Sequence, residues 1–204
     1  FFAVRSVTYC SVLDPVVPYQ QGRQQGPESR TEEPAMDTYE RIVQQLFAKR
    51  FNLTLHKIKE HSEPTPDFEV HSSAGCVAVL EVKAIECTAV DVSDLIATER
   101  DFVCGSLAKD NCASRVATKI HTAIRQLEVS SHPKIFVLVN DGIEADQFDL
   151  QEALRGYLSY GDEKVTMLPA RAWERMVVDR GKVDLYVWIE LHPQPQIHWV
   201  ATGA

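Results

Sequence analysis

Residues 66–85 read Pro66-Asp67-Phe68-Glu69-Val70-His71-Ser72-Ser73-Ala74-Gly75-Cys76-Val77-Ala78-Val79-Leu80-Glu81-Val82-Lys83-Ala84-Ile85. Asp67 to Val70 is a short strand, Ser72-Ser73-Ala74-Gly75 is a turn, and Val77 to Ile85 is a second, longer strand. Side chains alternate across a strand, so Val77, Val79, Glu81, Lys83 and Ile85 share one face, and Ala78, Leu80, Val82 and Ala84 share the other. Both faces start apolar, which places this strand in the middle of a sheet. A glutamate and a lysine on an inner face are costly there unless they pair or bind an ion. The hairpin brings Asp67 beside Glu81. Two adjacent carboxylates repel unless a cation lies between them, and oxygen-only ligation suits Mg²⁺ or Mn²⁺.

The surroundings complete a recognisable order. Upstream, Tyr39, Ile42, Val43, Leu46 and Phe47 repeat at helical spacing, and Asp37 with Glu40 has the spacing of a capping box. Residues 52–58 alternate as a strand, and Glu63-Pro64-Thr65-Pro66 is a turn. The three strands therefore form an antiparallel meander after a helix. Downstream, residues 86–111 carry several acids without a clean period and read as an irregular insertion with a short helix near Leu95. A helix is expected at 113–128, with an apolar face of Val116, Ala117, Ile120, Ala123, Ile124 and Leu127. Lys134 to Asn140 is almost continuously apolar, as a strand covered on both sides should be. A helix at 147–159, a strand from Val165 to Leu168, a helix at 172–177, and strands at 183–191 and 196–200 follow. The expected class is α/β (α+β) with a mixed sheet and helices on both faces.

This order, with Pro66-Asp67 and Glu81-Val82-Lys83, resembles the PD-(D/E)XK nuclease superfamily, the restriction-endonuclease-like fold, over residues 37–141. The resemblance implies an αβββαβ core followed here by extra C-terminal strands. It also implies a metal-dependent endonuclease that hydrolyses phosphodiester bonds, most often in DNA. Asp67 and Glu81 would bind Mg²⁺ or Mn²⁺, with the Val82 carbonyl as an extra ligand, and Lys83 would assist the attacking water. Many members carry an acid on the first helix, which makes Glu40 a further catalytic candidate beside its capping role. In that fold the helix after the motif often points basic or amide side chains at the site. On the 113–128 helix, Arg115, Lys119, Thr122 and Gln126 form a stripe opposite the apolar face, so Arg115, Lys119 and Gln126 are nucleic-acid-binding candidates, with a solvated helix face as the alternative.

Composition bounds these expectations. The chain has 204 residues, 45% hydrophobic and 25% charged, as in an ordinary globular protein. Lys and Arg number 21 against 29 acids, a net charge of −8 that argues against a broadly basic polyanion binder. From Cys112 to Lys134, however, the charge is +3, with Arg115, Lys119, Arg125 and Lys134 against Glu128. No apolar run is long enough for a membrane helix. Cys10, Cys76, Cys87, Cys104 and Cys112 show no CxxC spacing and read as reduced thiols of a cytoplasmic protein. No HExxH or HxH pair occurs, and His192 and His198 are expected at the surface. Trp173, Trp188 and Trp199 read as packing residues, not a base-stacking platform.

Residues 1–35, with Pro15, Pro18, Pro27 and Pro34 and the polar run 20–26, are expected to be a disordered tail. Met36 is then a candidate true start and residues 1–35 a candidate artefact of gene calling, leaving 36–204 as the nuclease-like domain. Cutting both strands often needs two sites, which leaves a homodimer open. Two rivals remain: a non-catalytic nucleic-acid-binding or scaffold domain on the same fold, and an unrelated α/β fold on which these charges are simply solvated.

Overall fold

The structure, a computed structural model, describes residues 5–9, 36–59, 62–85, 112–142, 145–160, 163–192 and 196–202. The helix α1 spans Thr38–Leu46. Asp37 accepts from the Glu40 amide and Glu40 returns the bond to the Asp37 amide, closing the expected capping box. A π-helical turn, Phe47–Phe51, continues α1 until Asn52, at φ 53°, turns the chain out. The strands β2 (Thr54–Lys57), β3 (Phe68–Ser72) and β4 (Gly75–Ile85) then run as an antiparallel meander. The helix α2 (Cys112–Leu127) crosses over to β5 (Lys134–Asn140), which lies parallel to β4. The helix α3 (Gln147–Arg155), the hairpin β6 (Tyr157–Tyr160) and β7 (Glu163–Thr166), and the helix α4 (Ala170–Asp179) lead to β8 (Leu185–Glu190), parallel to β5. Last comes β9 (Gln196–Ala201), antiparallel to β8.

The main sheet has the order β1-β9-β8-β5-β4-β3-β2, where β1 is Arg5–Tyr9 along the outer edge of β9. Those five residues fall in the segment expected to lack structure. Residues 10–35 and the insertion at 86–111, with its helix near Leu95, lie outside the described residues. Helices cover both faces, as expected. On one face Val43 and Leu46 of α1, with Phe47 of the π-helical turn, pack on Leu55, Phe68, Leu80, Val82, Val137 and Val187. On the other, Val116, Ile120, Ile124 and Leu127 of α2, with Leu150 of α3 and Met176 of α4, pack on Val79, Phe136, Leu138, Tyr186 and Trp188. All six residues expected on the inner face of α2 are buried. The β5 side chains from Phe136 to Asn140 are buried too, which is why that strand has no alternation in its sequence.

Two expectations need correction. The helix expected to run to 159 stops at Arg155, because Gly156 takes φ 78° and its amide returns to the Glu152 carbonyl. Tyr157–Tyr160 then forms β6, where the sequence pattern predicts helix through 159. A Cβ at position 156 would lie 2.3 Å from the Trp173 ring, so the site demands glycine for space as well as for φ. His198, expected at the surface, is 6% exposed, and neither ring nitrogen has a partner among the described residues. It belongs to β9, whose two faces both pack, and burial lowers its pKa. His192 is exposed as expected and pairs with Asp141 at 2.9 Å.

Candidate active site

The site forms where β3 ends beside β4. Register pairs Phe68 with Leu80 and goes no further, so the half of β4 beyond Leu80 has an open edge on that side. The Val79 amide donates to the Pro133 carbonyl and the Ile85 carbonyl accepts from the Asp141 amide. Odd-numbered residues of β4 therefore turn their backbone toward β5, and even-numbered ones toward β3. Val82 is even, and with no β3 partner left its amide donates to Asp67 Oδ2 at 2.8 Å. A strand residue's N–H and C=O point the same way, so the Val82 carbonyl faces the same gap.

Glu81 and Lys83 project from the α2 face of β4, as alternation requires. Glu81 is fully buried. One of its oxygens accepts from Lys83 Nζ and the other from the Asp67 amide at 3.1 Å. Burial first, and the Asp67 charge second, push its pKa up to about 8, against the pull of Lys83. The protein thus holds a carboxyl that resists ionisation until another cation compensates it.

Asp67 links this face to the other. Its Oδ1 accepts from Lys57 Nζ at 3.2 Å, and Lys57 also donates to Glu40 Oε1. Glu40 is 8% exposed, and its other oxygen caps the Asp37 amide at 3.1 Å. The capping and site roles weighed for Glu40 are compatible, one oxygen serving each. Lys57 was not singled out from sequence. Its signal was there, since in β2 it shares the parity of Leu55, which is 3% exposed. Its ammonium also lies 5.2 Å from the Phe68 ring centre. Burial works against the Lys57 charge, but Glu40 and Asp67 outweigh it, and its pKa is raised. The cluster is therefore three carboxylates and two ammonium groups wrapped round the edge of β4.

An open cleft of ≈ 290 Å³ lies beside it, walled by Lys57, Thr65, Pro66, Asp67 and Gln126, with Ile58 and residues 62–64 completing it. Gln126 of α2 donates to the Thr65 carbonyl at 3.2 Å and so borders this cleft. The remainder of the α2 stripe does not gather there. Lys119 is exposed, and its side chain makes no hydrogen bond or ion pair with the described residues. Arg115 is half-buried and its charge acts on Asp149 of α3, while His121 pairs with Asp179 of α4 at 2.7 Å.

The donors around the gap are the carboxylates of Asp67 and Glu81 and the Val82 carbonyl. These are hard oxygens of the kind Mg²⁺ and Mn²⁺ accept, and a buried carboxyl that resists ionisation is what such a site presents before loading. The chain matches no family model, no curated protein and no solved structure. What stands is a mixed α/β protein with a buried acid–lysine cluster at a strand edge. None of its described helices is long and apolar enough to cross a membrane.

Proposed function

We propose that this chain is a metal-dependent nuclease of the PD-(D/E)XK type, hydrolysing phosphodiester bonds in DNA. The observation that carries the reading is the meeting of Asp67, Glu81 and Lys83 at the point where β3 ends and the edge of β4 opens. It is supported by the order of elements from α1 to β5, a helix, an antiparallel meander, a helix and a parallel strand, which is that of a restriction-endonuclease-like core. Asp67, Glu81 and the Val82 carbonyl would hold Mg²⁺ or Mn²⁺. When bound, such an ion polarises a phosphoryl oxygen and acidifies water. Lys83, anchored on Glu81 and partly exposed, supplies positive charge where the phosphate becomes more negative. Glu40 and Lys57 act on Asp67 by fixing its carboxylate. Gln126 offers an amide to a strand lying in the cleft.

A second reading is favoured by one specific feature. Both oxygens of Asp67 already have partners, Lys57 and the Val82 amide, so the cluster can stand as a self-satisfied charge network. On that reading the chain is a nucleic-acid-binding or scaffold domain without hydrolysis. One assay separates the two. Purified protein is incubated with supercoiled, linear and single-stranded DNA, with Mg²⁺, with Mn²⁺ or with chelator. The nuclease reading expects cleavage with either ion, none in chelator, and none from Asp67→Asn. Binding without cleavage under every condition would establish the scaffold reading. Full activity of Asp67→Asn would remove this cluster as the active site.

A further inference from the structure

A second group of ligand-type side chains lies on the solvent side of the β2–β3–β4 meander, away from the acid–lysine cluster in chemistry. Glu69, His71 and Cys76 place one ligand atom each within 4.8 Å of one another. His71 Nε2 and Glu69 Oε2 are already 2.9 Å apart. His56, paired across β2–β3 with Glu69, brings its ring centre to 4.5 Å from that of His71. A bulge assembles the group. Register runs Val70 to Ala78 and then His71 to Cys76, so Val77 is passed over. Without that extra residue His71 would face Val77; with it, the thiol lies opposite the imidazole. Bulges re-aim side chains in this way beside functional sites.

We propose that Glu69, His71 and Cys76 bind a zinc ion, with His56, its ring beside that of His71, as a candidate fourth ligand. The donor set decides the metal. Sulfur and imidazole suit Zn²⁺ and disfavour Mg²⁺, which takes oxygen. Tetrahedral Zn²⁺ holds its ligand atoms roughly 3.3–3.8 Å apart. The group therefore needs only small side-chain rotations, and Glu69, His71 and Cys76 are all at least partly exposed and able to make them. The consequence is mechanical. Zinc would clamp the turn end of the β3–β4 hairpin, and β3 delivers Asp67 two residues before Glu69. Linear spacing does not reveal the site, because its ligands converge across strands.

The test uses the full, metal-free chain. Zn²⁺ is titrated against a chromophoric chelator, and Co²⁺ is added separately to read the thiolate-to-metal absorption band. A single equivalent should bind, and Co²⁺ should give the band. Cys76→Ser should abolish the band and weaken Zn²⁺ binding by at least about tenfold. His71→Gln should weaken binding similarly while keeping the circular dichroism of the folded chain, which covers the case in which the cysteine variant misfolds. Asp67→Asn should leave the Co²⁺ thiolate band unchanged, because no sulfur ligand lies at that site. A band that persists in Cys76→Ser would assign the thiolate to another cysteine and overturn the proposal. Unchanged Zn²⁺ affinity in His71→Gln would overturn it as well.

Discussion

Replacing Glu81 with glutamine separates the cost of burying this carboxyl from its use. In an unfolded chain the group ionises near 4.5; in the folded, metal-free chain it does so at about 8. Between those values the folded state keeps a proton that the unfolded state has lost. The associated stability is complete below about pH 4.5, falls by about 1.4 kcal/mol per pH unit, and is gone once pH passes about 8. From pH 6 to pH 8 the loss is roughly 2 kcal/mol, after allowing for the rounding of the curve near its upper end. Glutamine keeps the shape and cannot titrate. Urea denaturation in chelator should show wild-type stability falling over this range relative to Glu81→Gln by that amount. Asp149, Glu152 and Glu190 also have raised pKa values from burial, but they are common to both proteins and cancel in the difference. Adding Mg²⁺ at pH 8 should stabilise the wild type and not the variant. Parallel pH trends in the two proteins would mean that burial does not hold this carboxyl protonated, and the reasoning would fail.

The two lysines should part company: Lys57→Met is expected to destabilise the fold by about 3–5 kcal/mol in urea melts, whereas Lys83→Ala should change stability by less than about 1 kcal/mol and abolish cleavage. Gly156→Ala should lower stability by more than ~1 kcal/mol, because φ 78° and the Trp173 ring both oppose a Cβ; an unchanged melting temperature would contradict the close approach. Removing residues 1–35 uncovers the β9 edge that Arg5–Tyr9 occupies, so the shortened chain should melt earlier and self-associate on light scattering; identical behaviour would show that β1 adds nothing to the sheet.

The parts of the fold that were legible in sequence are those where one local period dominates. The α2 face and the unbroken apolar run of β5 needed no tertiary information. Asp37 and Glu40 declared the start of α1 through their spacing. Residue 156 was harder, because a glycine inside a helical pattern is tolerated about as readily as it ends one, and the choice was made by Trp173 packing from α4. His198 was misplaced because the prolines at 193 and 195 suggested a loop, while the strand beyond them is covered on both faces. In the site, Glu81 and Lys83 were readable from alternation alone. Asp67 needed the hairpin, and Lys57 needed knowledge of where β2 lies against α1. The cross-strand group at Glu69, His71 and Cys76 depended on a bulge, which leaves no signature in spacing.

The geometry also assigns the two lysines different work. The Lys57 side chain is 5% exposed and lies between Glu40 and Asp67, each of which occupies one side of its ammonium. It has little left to offer a phosphate, and removing it leaves two carboxylates in a confined space with no counter-charge. That is a positioning role, and its loss should register first in stability. The Lys83 side chain is 23% exposed and, among the described residues, its one carboxylate partner is Glu81, the group that prefers to keep its proton at neutral pH. With that partner neutral, the Lys83 charge is only partly committed and can turn toward an incoming anion. Charge far from this edge, including the net −8 of the chain, acts through solvent and is screened within about 8–10 Å at ordinary salt. A local pair of ammonium groups, one locked and one available, can therefore serve a polyanion on a protein whose overall charge repels it. The distinction is visible in a salt series: Lys83→Ala should flatten the salt dependence of DNA binding, while a Lys57 variant that remains folded should leave its slope intact.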